Sequence, residues 1–147
     1  MARLVAAGEV SALELATDAL ARIGILNPRI NAFTALTNER AQAEAKDIDA
    51  RRARGETLPS LAGVPYAVKN LYDVEGMVTL AGSAIRRDAA PATEDAALIQ
   101  RMRDAGAVLM GTTNMDEYAC GFTTENSHYG PTHNPHDTER IAGGSSG

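Results

Sequence analysis

The sequence predicts an α/β fold. Three observations carry this: stretches of helical periodicity alternate with short apolar runs, two of those runs (Val64–Val68 and Ala107–Met110) are bounded by glycine or asparagine, and a helix pattern leads directly into the second run. A strand, a helix and a further strand in that order suggest a parallel arrangement. The length of 147 residues fits one domain.

From the N-terminus, Ser11-Ala12-Leu13-Glu14 reads as a capping box. Leu15, Ala16, Ala19, Leu20 and Ile23 follow at helical spacing, and Gly24, Asn27 and Pro28 are expected to end that helix. Asn31 to Leu36 alternates around Phe33 and Thr34 as a short strand does. Glu39 to Arg54 is a second helix with a narrow stripe of Ala41, Ala45 and Ile48, and residues 55–63 form a loop containing Pro59. Val64 to Val68 reads as a buried strand, and Val78 to Ala81 as another. Asp95 to Ala105 is a third helix starting at Thr93 or Glu94, with Leu98, Ile99, Met102 and Ala105 inward and Gly106 at its end. Ala107 to Met110 is the second buried strand. Asn114 to Glu117 resembles another helix start, capped by Asn114 with Glu117 reaching back. Residues 123–147 are polar and rich in Gly, Pro, Asn, Ser and Thr, a long irregular segment of the functional or disordered kind.

Composition narrows the classes. Hydrophobic content of 44% with charge of 22% is ordinary for a globular chain, and the lack of tryptophan predicts an aliphatic core. A net charge of −5 argues against bulk-charge binding of a phosphate backbone. One cysteine, Cys120, allows no intrachain disulfide, and no apolar stretch approaches spanning length. With no signal peptide pattern, a cytoplasmic location is expected.

Two lysines stand against twelve arginines. Lys46 lies among acids, but Lys69 closes the apolar run 64–68. Burial penalises a charged amine, and lysine, unlike arginine, can then give up its proton. Lys69 is a candidate base at the carboxyl end of a strand, where α/β sites lie; the competing reading is a lysine snorkelling into solvent. The run Gly143-Gly144-Ser145-Ser146-Gly147 is a flexible linker, an anion-binding nest of amides, or a serine loop folded tightly beside a substrate. His133 and His136, with Cys120, have a weak metal-ligand spacing without a third convincing ligand, and no acidic neighbour marks a histidine as a serine-protease base.

Residues 61–70 (LAGVPYAVKN), 111–118 (GTTNMDEY), Asn134-Pro135 and Gly143–Gly147, in that order, resemble the amidase signature family across nearly the whole chain. The resemblance sets the linker reading aside. It implies the N-terminal part of a larger α/β fold, a mixed sheet flanked by helices, with residues 1–147 ending inside the Gly-Gly-Ser-Ser-Gly motif. It implies a Ser–cis-Ser–Lys triad in which Lys69 is the base and Ser145 the cis-serine relay, with no cofactor. The nucleophile and oxyanion amides are expected beyond residue 147, so this chain alone is expected to be inactive. Tyr118, Ala119, Cys120 and Gly121 are expected at the near wall of the substrate pocket, with Gly144 and Ser146 beside them; the alternative for Tyr118 to Gly121 is a plain helix C-terminus.

Residues 66–73, 79–83 and 121–130 resemble the biuret-type amidohydrolases, the carboxybiuret hydrolase branch in particular, which cut small urea-like amides and pair with a small helical subunit. The stretch from Asn114 to Tyr118 also resembles the ammonia-releasing component of tRNA-dependent glutamine amidotransferase. A non-catalytic scaffold is the third reading. Expected partners are a small amide, a small helical subunit or complementary C-terminal segment, and another copy of the chain through open apolar edges; direct nucleic-acid binding and membrane insertion are not expected.

Overall fold

The computed structural model describes residues 1–147. Its helices are α1 (Ala2–Ala7), α2 (Ala12–Ile30), α3 (Asn38–Ala53) and α4 (Ala97–Asp104). Its strands are β1 (Phe33–Leu36), β2 (Pro65–Lys69), β3 (Val108–Thr113), β4 (Glu125–Asn126), β5 (Gly130–Pro131), β6 (His133–Asn134) and β7 (Asp137–Ile141). The chain divides into two compact units. The first comprises residues 1–24, 37–67 and 97–111, and the second residues 25–36, 68–96 and 112–147.

The main sheet has the order β1-β3-β2. It is mixed. Gly63 N reaches Gly106 O at 2.9 Å and Val108 N reaches Val64 O at 2.9 Å, so β2 and β3 rise together. Asn114 N reaches Ala32 O at 2.8 Å, while Thr34 Oγ1 donates to Thr112 O at 3.3 Å, so β1 and β3 run opposite. The strand–helix–strand order does produce a parallel pair, β2 with β3, and β1 adds antiparallel to β3, which gives the mixed sheet that the resemblance implies. The tail adds two antiparallel pairs, β4 with β5 and β6 with β7.

The first unit has an aliphatic core: Val5, Ala12, Ala16, Ala41, Ala45, Ile48, Ala62, Ile99 and the start of β3 are buried. The capping box of α2 forms as the residues suggest, with Glu14 N donating to Ser11 Oγ at 2.9 Å and Ser11 N to Glu14 Oε2 at 2.8 Å. A distant carboxylate completes the cap: Asp49 on α3 accepts from Ala12 N at 2.9 Å and Leu13 N at 3.0 Å. Arg52, one turn on, donates to Val5 O at 3.0 Å and Val10 O at 3.1 Å. Gly106 ends α4 at φ +84°, and a Cβ there would meet Pro59 Cγ at 2.6 Å, so both conformation and space demand glycine.

Several local expectations give way to longer-range bonds. Pro28 does not end α2; it costs one amide near the last turn, and the stop comes at Asn31, left-handed at φ 51°, whose amide reaches Asn27 O at 2.8 Å. The β2 run is not buried throughout: only Val68 is, because β2 lies at the edge of its sheet. Residues 78–81 form no strand, since Leu80 N and Ala81 N both bond to Asn70 and Ala81 is left-handed at φ 50°. Helix α4 starts later than Thr93 or Glu94, because the Asp95 carboxylate accepts from Glu75 N at 3.0 Å and Ala96 N reaches Asp73 O; Leu98 on its surface is exposed. Strand β3 runs on to Thr113. Asn114 does not cap a helix. Residues 117–119 make a single 3-10 turn that cannot extend, with Tyr118 at φ 48° and Ala119 at φ 61°.

The second unit is held differently. Nine of the ten buried polar residues belong to it, Thr37 being the exception, whereas its buried hydrophobic residues are few: Val68, Val74, Ala81 and Met115. An aliphatic core throughout is therefore corrected. Its irregular backbone is satisfied by asparagine side chains, each with two donors and an acceptor. Asn70 joins several segments: its Nδ2 donates to Thr34 Oγ1 at 2.7 Å, its Oδ1 accepts from Leu80 N at 2.9 Å, its amide reaches Thr113 O at 3.1 Å and its carbonyl accepts from Ala81 N at 2.7 Å. Asn126 likewise joins Gly82 O and Met115 O to the amides of His128 and Tyr129.

Asn70→Ala strands the Leu80 amide and takes one donor from the Thr34 hydroxyl. We expect a loss of about 2–3 kcal/mol, checked by urea unfolding. Bonds from Ser11, its amide first and its side chain next, hold the Glu14 carboxyl below the ordinary glutamate range. A lowered folded value means that its contribution is complete above that range and is lost as pH falls through the lowered value. Glu14→Gln should flatten that part of the acid limb of a stability–pH curve.

Candidate active site

Lys69 is the last residue of β2 and is half-buried rather than fully removed from water. Its neighbour Asn70 fixes the strand end, and Leu71 N folds back onto Lys69 O at 2.6 Å. The chain turns there, so the lysine side chain leaves the sheet where the backbone stops being a strand. Its Nζ donates to Ser145 Oγ at 2.6 Å, across 76 residues of sequence.

The loop that carries Ser145 is tied by three hydrogen bonds. Thr124 Oγ1 donates to Gly143 O at 2.7 Å. Asp116 N donates to Ser145 O at 3.1 Å, and Gly147 N to Asn114 O at 2.9 Å. These last two bonds make the antiparallel bridge between Met115 and Ser146. The Gly144–Ser145 peptide bond is cis. Residues 114–116 are themselves anchored: Asn114, fully buried, donates to Gly130 O at 2.9 Å and accepts from Met115 N at 2.9 Å. The stretch that reads locally as a helix start is thus an extended ledge for the serine loop.

The other candidates fall in two groups. Gly121 and Gly144 converge on one side chain, the Asp116 carboxylate. Tyr118 and Cys120 are exposed, Ala119 is intermediate, and Ser146 is exposed beside its bridge. The histidines separate: His133 Nδ1 donates to Thr138 O at 2.9 Å. His128 does acquire an acidic neighbour, Glu117 Oε1 at 3.4 Å from Nε2, and the same oxygen accepts from buried Ser83 Oγ at 2.5 Å. Both partners meet one carboxylate oxygen, so serine and histidine are not bonded to each other as nucleophile and base would be. Sequence reasoning missed Asn70, Asn114, Asp116 and Thr124 as the residues that place the lysine and serine; the available signal was polar side chains embedded in otherwise apolar or glycine-rich motifs.

A lysine at a strand end within hydrogen-bond reach of a loop serine has the geometry that proton transfer requires. A family model described as Amidase matches residues 14–147. The chain belongs to the amidase signature family. It is 65% identical over 143 residues to AtzE, a 1-carboxybiuret hydrolase subunit of Pseudomonas sp. (strain ADP), covering 97% of this chain and 31% of that protein. It is 49% identical over 147 residues to a glutamyl-tRNA(Gln) amidotransferase subunit of Salinispora tropica, covering 100% of this chain and 30% of that protein. Among solved structures, a vestigial protein complex that reveals the evolutionary origins of an s-triazine catabolic enzyme superposes with a TM-score of 0.97 at 64% identity, over 98% of this chain and 32% of that one. A bacterial aryl acylamidase superposes with a TM-score of 0.91 at 31% identity, over 98% and 30%. The amidase chain therefore spans about a third of the length of these relatives. No helix of this amidase chain is long and apolar enough to cross a membrane.

Having only Lys46 and Lys69, the chain allows the pair to be read by side-chain NMR. Ser145→Ala should move the Lys69 Cε and Nζ resonances and leave those of Lys46 in place.

Proposed function

We propose that the complete enzyme hydrolyses the C–N bond of a small urea-like amide of the carboxybiuret type. The Lys69–Ser145 contact of 2.6 Å carries the reading, supported by 65% identity to a carboxybiuret hydrolase subunit. Lys69 Nζ accepts a proton from Ser145 Oγ. Ser145 in turn accepts one from a nucleophilic serine supplied by sequence outside residues 1–147. That serine attacks the amide carbonyl, the C–N bond breaks, and the proton returns through the same relay to the leaving nitrogen. Water then releases the acyl group. On this reading residues 1–147 alone do not hydrolyse amides.

Tyr118 to Gly121, with Gly144 and Ser146, form the near wall of the substrate site in this proposal. Exposed Tyr118 and Cys120 suit surfaces completed by further chain or by substrate. A small helical subunit is a proposed partner, in keeping with the protein complex described for the structure at TM-score 0.97. The 49% identity to a glutamyl-tRNA(Gln) amidotransferase component supports a second reading, glutamine as the ammonia source for a tRNA-bound partner.

The test uses the enzyme expressed from its complete reading frame. Ammonia release from biuret and carboxybiuret should exceed release from glutamine given with a tRNA-bound partner; the reverse preference favours the second reading. Lys69→Ala should lower kcat by about 10³-fold and Ser145→Ala by about 10²-fold. Lys69→Arg should fail nearly as badly as alanine, because a guanidinium keeps its proton. Hydrolysis of none of these substrates would leave the non-catalytic scaffold.

A further inference from the structure

Asp116 poses a problem that the Lys69–Ser145 pair does not explain. The residue is 8% exposed, and its Oδ2 is buried without a hydrogen-bond partner. Such groups are rare in folded proteins, and each calls for a reason. The carboxylate is also tightly enclosed. A Cβ on Gly121 would lie 2.5 Å from Asp116 Cγ and 2.7 and 2.8 Å from its oxygens. A Cβ on Gly144 would lie 2.5 Å from Asp116 Oδ2, with Thr123 N at 2.5 Å and Phe122 C at 2.6 Å. Neither glycine has a positive φ, so backbone conformation does not require glycine at either place. Close approach does, and the group approaching both is this carboxylate.

The same residue grips the serine loop a second time. Asp116 N donates to Ser145 O at 3.1 Å, while the carboxylate lies against Gly144. The peptide unit that presents the Ser145 hydroxyl is therefore bounded by one residue on two sides. A leucine side chain, close in shape, would fill the same space without an unpaired oxygen, so stability alone does not account for a carboxylate there.

We propose that Asp116 is a positioning residue for the Lys69–Ser145 pair, its carboxylate wedged between Gly121 and Gly144 and its amide holding the Ser145 carbonyl. Removing the wedge lets the Gly144–Ser145 unit drift toward Gly121, and the serine hydroxyl leaves the lysine. The catalytic consequence rests on the hydrolase reading; the geometric one does not.

The test compares Asp116→Ala with Asp116→Ala/Gly121→Ala. The three atoms nearest to a methyl on Gly121 all belong to the Asp116 side chain, so the second variant refills the space the first one empties. In the enzyme from the complete reading frame, Asp116→Ala should lose at least about tenfold in kcat with KM within about twofold, and the double variant should recover most of that loss. The double variant should unfold at or above the urea midpoint of the unsubstituted enzyme. Asp116→Ala with unimpaired kcat, or a double variant that regains the urea midpoint but none of the kcat, would overturn the proposal, because the wedge would then not set the Ser145 hydroxyl. Side-chain NMR on the two-lysine chain separates this from failure of the hydrolase reading. If the unsubstituted enzyme cleaves no amide, a Lys69 resonance displaced in Asp116→Ala and returned in the double variant still supports the positioning role, and one left in place in Asp116→Ala overturns it.

Discussion

The structure of the second unit is organised around one contact, the 2.6 Å approach of Lys69 Nζ to Ser145 Oγ. Neither group can be placed by its own element. A strand end delivers a lysine only if the backbone stops where the side chain must leave, and a loop with glycines at 143, 144 and 147 holds no shape unaided. Asn70 solves the first problem by binding the strand end, the next turn and the Thr34 hydroxyl together. Asn114, Asp116 and Thr124 solve the second by taking the backbone groups of the loop one at a time.

The two units therefore rest on different physics. The first buries small aliphatic side chains between helices and strand, where modest changes of shape are absorbed at modest cost. The second buries asparagine, threonine, serine and aspartate. Each of its bonds contributes little net stability, but each specifies a geometry, and a missing partner costs more than a bond gains. The proposed proton relay asks for the second kind of scaffold, because its requirement is placement within a few tenths of an ångström.

How far this was legible in the sequence follows from the range of the forces involved. The helix over 39–54 and its stripe of Ala41, Ala45 and Ile48 could be read because they depend on periodicity within one segment. So could the Ser11–Glu14 box, which closes over four residues. Residues 78–81 and 114–117 could not. Their local patterns suit a strand and a helix start, but Asn70 claims the amides of the one and Ser145 pairs with the other. Lys69 drew notice through scarcity, one of two lysines and the one beside an apolar run. Asp116 drew none, because a carboxylate after Asn-Met looks like helix capping until Gly121 and Gly144 are seen closing on it.

A proton can pass between the lysine and the serine only if they lie within bonding distance. A crystal structure of the protein at a resolution that fixes both side chains measures this directly. We predict an Nζ–Oγ separation of about 2.6–3.0 Å, within the hydrogen-bond range. A separation beyond about 4 Å, with the lysine turned into solvent, would contradict the relay at its root.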